Sequence, residues 1–388
     1  MIGQEMDPGH NLQLHWMKRP AEVSDGASVE TTKSLIEEEE EEQDDLFSVR
    51  SLTASSRLSS IKKTIMKAQI DEEGYIVFYP EVLIGNHYKL LGLLGKGAFG
   101  LVCRAENLHA GNLVALKVSR RDSFIHEAGH WEYRLLLEAQ AAEQRHIVRA
   151  LDGFSWQGHY CLATELLDTN LREVLNKYGR KIGLNMQAVQ LYARHAFKAL
   201  LSLRSNGIVH GDIKPDNLLL DSQKTTLKIG DFGTAMRVEE AGAEGPIPYL
   251  ASRFYRAPEI MIGLRPDCAI DIWALGCSLY ELCTGELLFT GKSNVEMLRQ
   301  ILALRGRIPA HMIRQSPFKE SYFGEGGSLT SSQATATQLS LKTRISEASR
   351  SAQSLLISLL NSCLEIDPKR RITPDKALDS PFFQIEMP

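Results

Sequence analysis

The chain has 388 residues, with 44 basic and 48 acidic side chains and a formal net charge of −4. Its 43% hydrophobic content supports a real core, and so mild an acidity excludes a whole-chain electrostatic clamp for DNA or RNA. The six cysteines (Cys103, Cys161, Cys268, Cys277, Cys283 and Cys363) form no C-x-x-C pair, so neither a zinc site nor a disulfide framework is indicated, and no apolar run approaches the roughly 18–20 residues that span a bilayer.

Residues 1–68 carry 13 acidic and 8 basic groups, whereas residues 69–388 carry 35 and 36, so the negative charge sits at the start of the chain. Its centre is the run Glu37 to Glu42, followed by Asp44 and Asp45; such a block repels itself and predicts disorder. Ser48, Ser51, Ser55, Ser56, Ser59 and Ser60 follow, around Arg50 and Arg57. This stretch reads either as a solvated linker or as a regulated docking or phosphorylation segment. Leu12, Leu14 and Trp16 are separated by polar residues, so no signal-peptide core is present and secretion is not expected.

Order is expected from about Gln69. Tyr75–Tyr79, Tyr88–Leu94, Leu101–Ala105 and Leu113–Val118 read as strands, the last two joined by a turn at Ala110-Gly111-Asn112. Ser123–Arg145 has helical composition; Ala150–Phe154 and Tyr160–Thr164 return to strand. Helical patterns then dominate, at Leu171–Tyr178, Ala188–Arg204, Asp271–Thr284 and Val295–Leu304. A strand-rich part followed by a helix-rich part predicts an α+β fold in two lobes, about 69–167 and 168–388. Residues of about 323–350, rich in Gly, Ser, Thr and Gln, read as a flexible insertion in the second lobe.

Gly95-Lys96-Gly97-Ala98-Phe99-Gly100 fits G-x-G-x-x-G. A dinucleotide-binding version needs a helix beginning inside the loop. Here strand follows instead, so an oxidoreductase of that type is not expected. Glycines let backbone approach phosphate oxygens, and Phe99 is placed to cap the loop. Lys117, inside the apolar run Val114-Ala-Leu-Lys-Val, needs an anionic partner if buried; the alternative is a hairpin lysine that snorkels to solvent. Glu127, Glu132 and Glu138 on the following helix are the candidate partners. Glu132 is preferred, because the apolar groups at helical spacing beyond it turn it toward the core.

The strongest local signal is His210-Gly-Asp212-Ile-Lys214-Pro-Asp-Asn217, followed fourteen residues later by Asp231-Phe-Gly233. This pair, with Ala257-Pro-Glu259 and Asp271-Ile-Trp-Ala-Leu-Gly276 beyond it, resembles the eukaryotic protein kinases over about residues 85–388. The resemblance implies a bilobal protein-kinase fold, with a small β-rich N-lobe and a larger α-helical C-lobe, and the cofactors ATP and Mg2+. It implies Asp212 as acceptor of the attacking hydroxyl's proton, Lys214 and Lys117 on phosphate charge, and Asn217 and Asp231 as metal ligands. It extends the nucleotide pocket from the glycine loop to Val102, Ala115, Thr164, Glu165 and Leu167. Glu259 and Arg371 read as a buried structural ion pair.

Ser252-Arg253-Phe-Tyr-Arg256-Ala-Pro-Glu259 resembles the CMGC group. Asp-Glu-Glu-Gly-Tyr75, Asn170-Leu-Arg-Glu-Val-Leu-Asn-Lys-Tyr-Gly179, Pro248-Tyr-Leu-Ala-Ser-Arg253 and His311-Met-Ile-Arg314 with Phe318-Lys-Glu320 are similar to the pre-mRNA-splicing kinase family, next to the dual-specificity tyrosine-regulated kinases. That branch implies a Ser/Thr kinase of spliceosomal proteins, in the nucleus and also the cytoplasm, with a monomeric kinase domain and with neither nucleic acid nor membrane as a direct partner. A kinase-fold scaffold without activity is the alternative. Gly211 stands where the family usually has arginine, so control through that arginine does not carry over. Thr164 resembles a small gatekeeper, which predicts a hydrophobic back pocket. Tyr249 matches the autophosphorylated tyrosine of the activation segment, with Arg253 and Arg256 as its expected phosphate partners; otherwise it is a tyrosine packed at the substrate groove.

Overall fold

The computed structural model describes residues 69–386, apart from 141–144, 180, 325–326, 330–340 and 342–349. The acidic and serine-rich segment 1–68 lies outside the described residues, as does most of the expected insertion. The described flanks of that insertion belong to the fold: Phe323, Leu329 and Leu341 are buried in the larger core, and Phe323 bridges to Leu329.

The first lobe is an antiparallel sheet of β1 (Leu83–Ile84), β2 (Tyr88–Gly97), β3 (Gly100–Asn107), β4 (Asn112–Ser119), β5 (Ala150–Trp156) and β6 (His159–Glu165), in the order β1-β2-β3-β4-β6-β5. Alternation buries one face of β3 and β4 through Leu101, Cys103, Ala105, Val114, Leu116 and Val118. The turn between them is closed by Asn107, whose Oδ1 accepts from the N–H of His109 at 3.0 Å and of Ala110 at 3.2 Å. Tyr75–Tyr79 forms no ladder strand. Ile76 makes one bridge, to Ile70, and the β-forming side chains Tyr75 and Ile76 instead cap the sheet's core.

The helix expected over Ser123–Arg145 runs as α1 from Ser123 to Gln140. It packs on β5 and β6 and turns Ile125, Glu132, Leu135, Leu136 and Ala139 inward. The two apolar cores do not divide where the chain does. Leu135, Leu136, Ile147, Val148 and Leu162 join the large C-terminal cluster rather than the sheet's own, because the far end of α1 and the strand beside it lean on the second lobe.

In the second lobe, α2 covers only Leu171–Val174; the backbone then widens into a π-turn over Leu175–Gly179. The helix expected across Leu171–Tyr178 is thus two structures, the wider turn ending at buried Gly179. Asn185 caps α3 (Met186–Ser205) by accepting from the N–H of Ala188 at 2.8 Å. The next long helix, α4 (Ala269–Thr284), is buried on every side, which is why its sequence is apolar without a polar face. The helices α3 and α6 (Arg350–Cys363) pack against it, and α5 (Asn294–Arg305) follows it in the chain. Among the described residues, no helix is long and apolar enough to cross a membrane.

His146 and His195 stack with ring centroids 4.1 Å apart, where the end of the first lobe meets α3. His146 Nδ1 is 3.0 Å from the carbonyl of Leu227, and the N–H of Leu227 donates to His195 Nδ1 at 3.3 Å. Burial lowers both imidazole pKa values, that of His195 to about 4. The unfolded chain therefore takes up these protons first, so their contribution is intact above about pH 6.5 and fades as pH falls toward the folded values. The urea midpoint is expected to drop between about pH 7 and about pH 5, and less steeply in His195→Asn. An identical slope in that variant would assign the pH dependence to other groups.

Candidate active site

Gly97 and Gly100 face each other across β2 and β3, leaving Ala98 and Phe99 as the tip of the glycine loop. A Cβ added at Gly95 or Gly97 would meet nothing within 4 Å, whereas one at Gly100 would lie 2.2 Å from the carbonyl of Val118. Packing thus explains Gly100 but not Gly95 or Gly97. Two glycines that the fold does not need, on an exposed loop, fit a loop that a phosphate must approach closely.

Val102 pairs with Gly95 on one side and Lys117 on the other; Ala115 pairs with Thr164. Lys117 Nζ donates to both oxygens of Glu132, at 2.9 and 2.8 Å, and to Asp231 Oδ1 at 3.1 Å. Of the three candidate partners, α1 turns Glu132 to Lys117, leaves Glu127 exposed and gives Glu138 to Arg237 at 2.5 Å. Burial pulls the Lys117 pKa down, but the charges of Glu132 and Asp231 outweigh it and hold the ammonium above the ordinary lysine value. The same ammonium holds the Asp231 carboxyl down at about 2. Asp231 has φ +59°, a left-handed backbone that aims its side chain back at Lys117.

Lys96 is exposed on β2. Thr164 stands at the end of β6, and the cavity between the sheet and α1 is reached two residues earlier, at Leu162. That cavity is lined by Phe99, Lys117, Ser119, Ile125, Ala128, Gly129, Glu132, Tyr160, Leu162 and Gly233. That cavity lies beside Leu162 rather than Thr164 and is part polar, since the Lys117–Glu132 pair forms one wall. The Glu165 carboxylate is turned to Lys228 Nζ at 2.6 Å and to the N–H of Arg149 at 2.7 Å, so its backbone is what it offers a nucleotide. Leu167 packs against the larger core.

The reaction loop follows β7 (Ile208–Val209). Asp212 Oδ1 accepts from the N–H of Ser252 at 2.9 Å; its Oδ2 accepts from Lys214 Nζ at 2.6 Å and from Asn217 Nδ2 at 3.2 Å. Asn217 Nδ2 also donates to the Asp212 carbonyl at 2.8 Å, which turns the amide oxygen away from Asp212. Asn217 Oδ1 and the carboxylate of Asp231 are hard oxygen donors of the kind Mg2+ takes. The Asn217 carbonyl accepts from the N–H of Gly230 at 3.0 Å, and His210 Nε2 is 3.0 Å from the Gly230 carbonyl, so the Asp212 and Asp231 segments are tied together directly.

Further residues support the reaction loop. Asp271, 2% exposed at the start of α4, accepts from the N–H of His210 at 2.8 Å and of Gly211 at 2.9 Å. Its place in Asp-Ile-Trp was the available signal. Gly211 has φ +80°, and a Cβ there would sit 3.0 Å from the Thr234 carbonyl, which gives glycine a local reason at this position. Ser252 holds Lys214 through its Oγ at 2.9 Å as well as Asp212 through its N–H. Arg172 donates to the Tyr255 hydroxyl at 2.6 Å and to Asp216 at 3.3 Å, and pairs with Glu281; nothing local in the sequence marks that cluster. Asp271→Asn would set an amide NH2 against one of the two backbone N–H groups. The expected cost is about 1–3 kcal/mol of stability together with a lower kcat, read by urea unfolding and initial rates.

Tyr249 is half-buried, with the guanidinium of Arg256 5.6 Å from its ring. Arg256 is 5% exposed and donates to the carbonyls of Leu250, Tyr249 and Ala251 at 2.9, 3.0 and 2.9 Å, and to Asn294 at 2.8 Å. With its donors engaged by backbone and by Asn294, it shapes residues 249–251. Arg253 lies on the half-exposed turn Arg253–Tyr255.

A cleft with a glycine loop, a lysine bound to two carboxylates, and an aspartate braced by lysine and asparagine defines a phosphotransferase centre. A protein kinase domain model matches residues 88–383, and the chain belongs to the protein kinase family. It is 33% identical to serine/threonine-protein kinase prp4 of Schizosaccharomyces pombe, over 88% of this chain and 78% of that one. It is 32% identical to serine/threonine-protein kinase prpf4B of Dictyostelium discoideum, over 81% of this chain but only 41% of that one. Mouse dual specificity tyrosine-phosphorylation-regulated kinase 3 is 30% identical, over 82% of this chain and 57% of its own length. These similarities place the chain among kinases of the prp4 type, next to the dual-specificity tyrosine-regulated branch.

Proposed function

We propose that the chain transfers the γ-phosphate of ATP to serine and threonine of protein substrates, with Asp212 as the base, Lys214 neutralising charge on the transferred group, and Lys117, oriented by Glu132, holding the nucleotide phosphates. The observation that carries this reading is the continuity from Lys117 through Asp231 to Asn217 and Asp212, since every group the chemistry requires meets in one cleft. Asp231 and Asn217 would hold Mg2+, which neutralises phosphate charge when bound. The protein's part is orientation and charge placement, which suffices for a loose phosphoryl transition state. An inactive scaffold would lack one of these groups, and Lys117, Asp212, Asn217 and Asp231 are all in place.

The finer reading is a nuclear kinase of splicing proteins. Its support is the similarity to prp4-type kinases and the stretches around Tyr75, Asn170, Pro248 and His311. Tyr249 belongs to this reading as an autophosphorylation site, its hydroxyl lying in the segment that Arg256 shapes. The test is phosphate transfer from Mg-ATP to protein, with phosphoamino-acid analysis of the product, followed by phosphoproteomics after acute inhibition. Phosphoserine and phosphothreonine on substrates, and phosphotyrosine only on the kinase, are expected. Phosphate on substrate tyrosines would overturn the Ser/Thr reading, and an unchanged splicing phosphoproteome would overturn the substrate class.

A further inference from the structure

We propose that Tyr75, in the segment before the sheet, is a positioning residue for the nucleotide phosphates: it grips the carbonyl side of the glycine loop and so aims the loop's N–H groups at a phosphate. The proposal rests on the nucleotide-binding reading of that loop. The Tyr75 hydroxyl donates to the carbonyl of Gly97 at 3.0 Å and lies 3.5 Å from that of Ala98. A peptide is planar and trans, so a carbonyl held on the Tyr75 side sends the N–H of the same peptide, here that of Ala98, to the opposite side. At the tip the N–H of Arg120 donates to the carbonyl of Phe99 at 2.9 Å, which orients the Gly100 N–H in the same manner. The carbonyls of Gly97 and Phe99 are thus held by protein, and the N–H groups of Ala98 and Gly100 point away from those partners.

Tyr75 is itself rigidly mounted. The N–H of Tyr75 donates to Asp71 Oδ1 at 2.8 Å, and its carbonyl accepts from the N–H of Asp71 at 2.9 Å. Gly74, with φ +85°, presents its carbonyl to the N–H of Arg121 at 2.7 Å, and a Cβ there would crowd the Arg121 carbonyl at 3.3 Å. Adjacent residues at the end of β4 therefore reach both the segment and the loop tip. Lys96 Nζ sits 4.0 Å from the centre of the Tyr75 ring, closing the contact from the loop side. The ring packs with Ile76 and Val82 in the sheet's core, a task a phenylalanine performs equally; the hydroxyl bond to Gly97 is what tyrosine adds.

The experiment compares the full chain with Tyr75→Phe and Tyr75→Ala, using Mg-ADP and adenosine as calorimetric probes, with KM for ATP, kcat and thermal unfolding alongside. Tyr75→Phe is expected to weaken Mg-ADP binding and raise KM for ATP by about 3–10-fold, the worth of one hydrogen bond. Adenosine affinity, kcat and the unfolding temperature stay as in the wild type. Tyr75→Ala adds a lower unfolding temperature. Unchanged Mg-ADP affinity in Tyr75→Phe, or an equal loss for adenosine and Mg-ADP, overturns the proposal. A wild type that binds Mg-ADP but transfers no phosphate defeats the kinase reading instead, and the two-probe comparison still decides the role of Tyr75.

Discussion

Asp212→Asn is expected to slow phosphate transfer by about 10²–10⁴-fold, the usual worth of a positioned general base. Asparagine keeps the size of the side chain, and its oxygen can still accept from the N–H of Ser252. Its NH2 group, however, replaces the oxygen that faces Lys214 Nζ and Asn217 Nδ2, so three donors meet where one acceptor stood. The substitution therefore removes the proton acceptor and loosens Lys214 as well. The lost term belongs to the transition state, so KM for ATP should hold while kcat falls. Initial rates with Mg-ATP and a Ser/Thr protein substrate measure the change, and calorimetry with Mg-ADP checks that the nucleotide site survives. A rate within a few-fold of wild type would remove Asp212 from the role of base.

The largest stability effect is expected at Arg371. Its guanidinium is buried and donates to both oxygens of Glu259, at 2.5 and 2.9 Å. It also donates to the carbonyl of Ala269 at 2.7 Å and of Glu365 at 2.9 Å, and lies 5.2 Å from the centre of the Trp273 ring. One side chain thus joins the end of the activation segment, the start of α4 and the loop after α6. Arg371→Met strands the Glu259 carboxylate in a site where it is 1% exposed, at an expected cost of about 3–5 kcal/mol. Replacing both residues by apolar ones of similar volume removes the stranded charge, so Glu259→Leu with Arg371→Met should be less destabilised than Arg371→Met alone. Urea unfolding of the three proteins reads the difference, and a double variant as unstable as the single one would show that the backbone bonds of Arg371, not its charge partner, dominate.

Much of the active centre was legible in the chain because its chemistry lives in short contiguous motifs. Gly95 to Gly100, Asp212 to Asn217 and Asp231 each sit within a few residues of a strand, and a strand delivers neighbouring side chains together. Glu132 was legible for a different reason: the apolar residues around it fix which face of α1 turns inward. Boundaries were less legible. Leu171–Tyr178 looks helical by pattern, yet the backbone widens after Val174 into a π-turn. Tyr75–Tyr79 has strand formers, yet beyond the Ile70–Ile76 bridge it joins no ladder, and Tyr75 and Ile76 pack by their side chains.

The reaction class, the α+β fold and the residues that meet in the cleft were legible in the chain, because they follow from residue types at close spacing. Tertiary structure alone decided what each charged group faces. The guanidinium of Arg256 is bound to backbone carbonyls seven residues or fewer away, while Asp271, sixty residues from Gly211, holds the reaction loop by two N–H bonds. A buried charge is stable only with partners, and which partners are near is set by how distant elements pack. The hydroxyl of Tyr75 on Gly97 is the same case: twenty-two residues separate them in the chain, and only the folded sheet brings them to 3.0 Å.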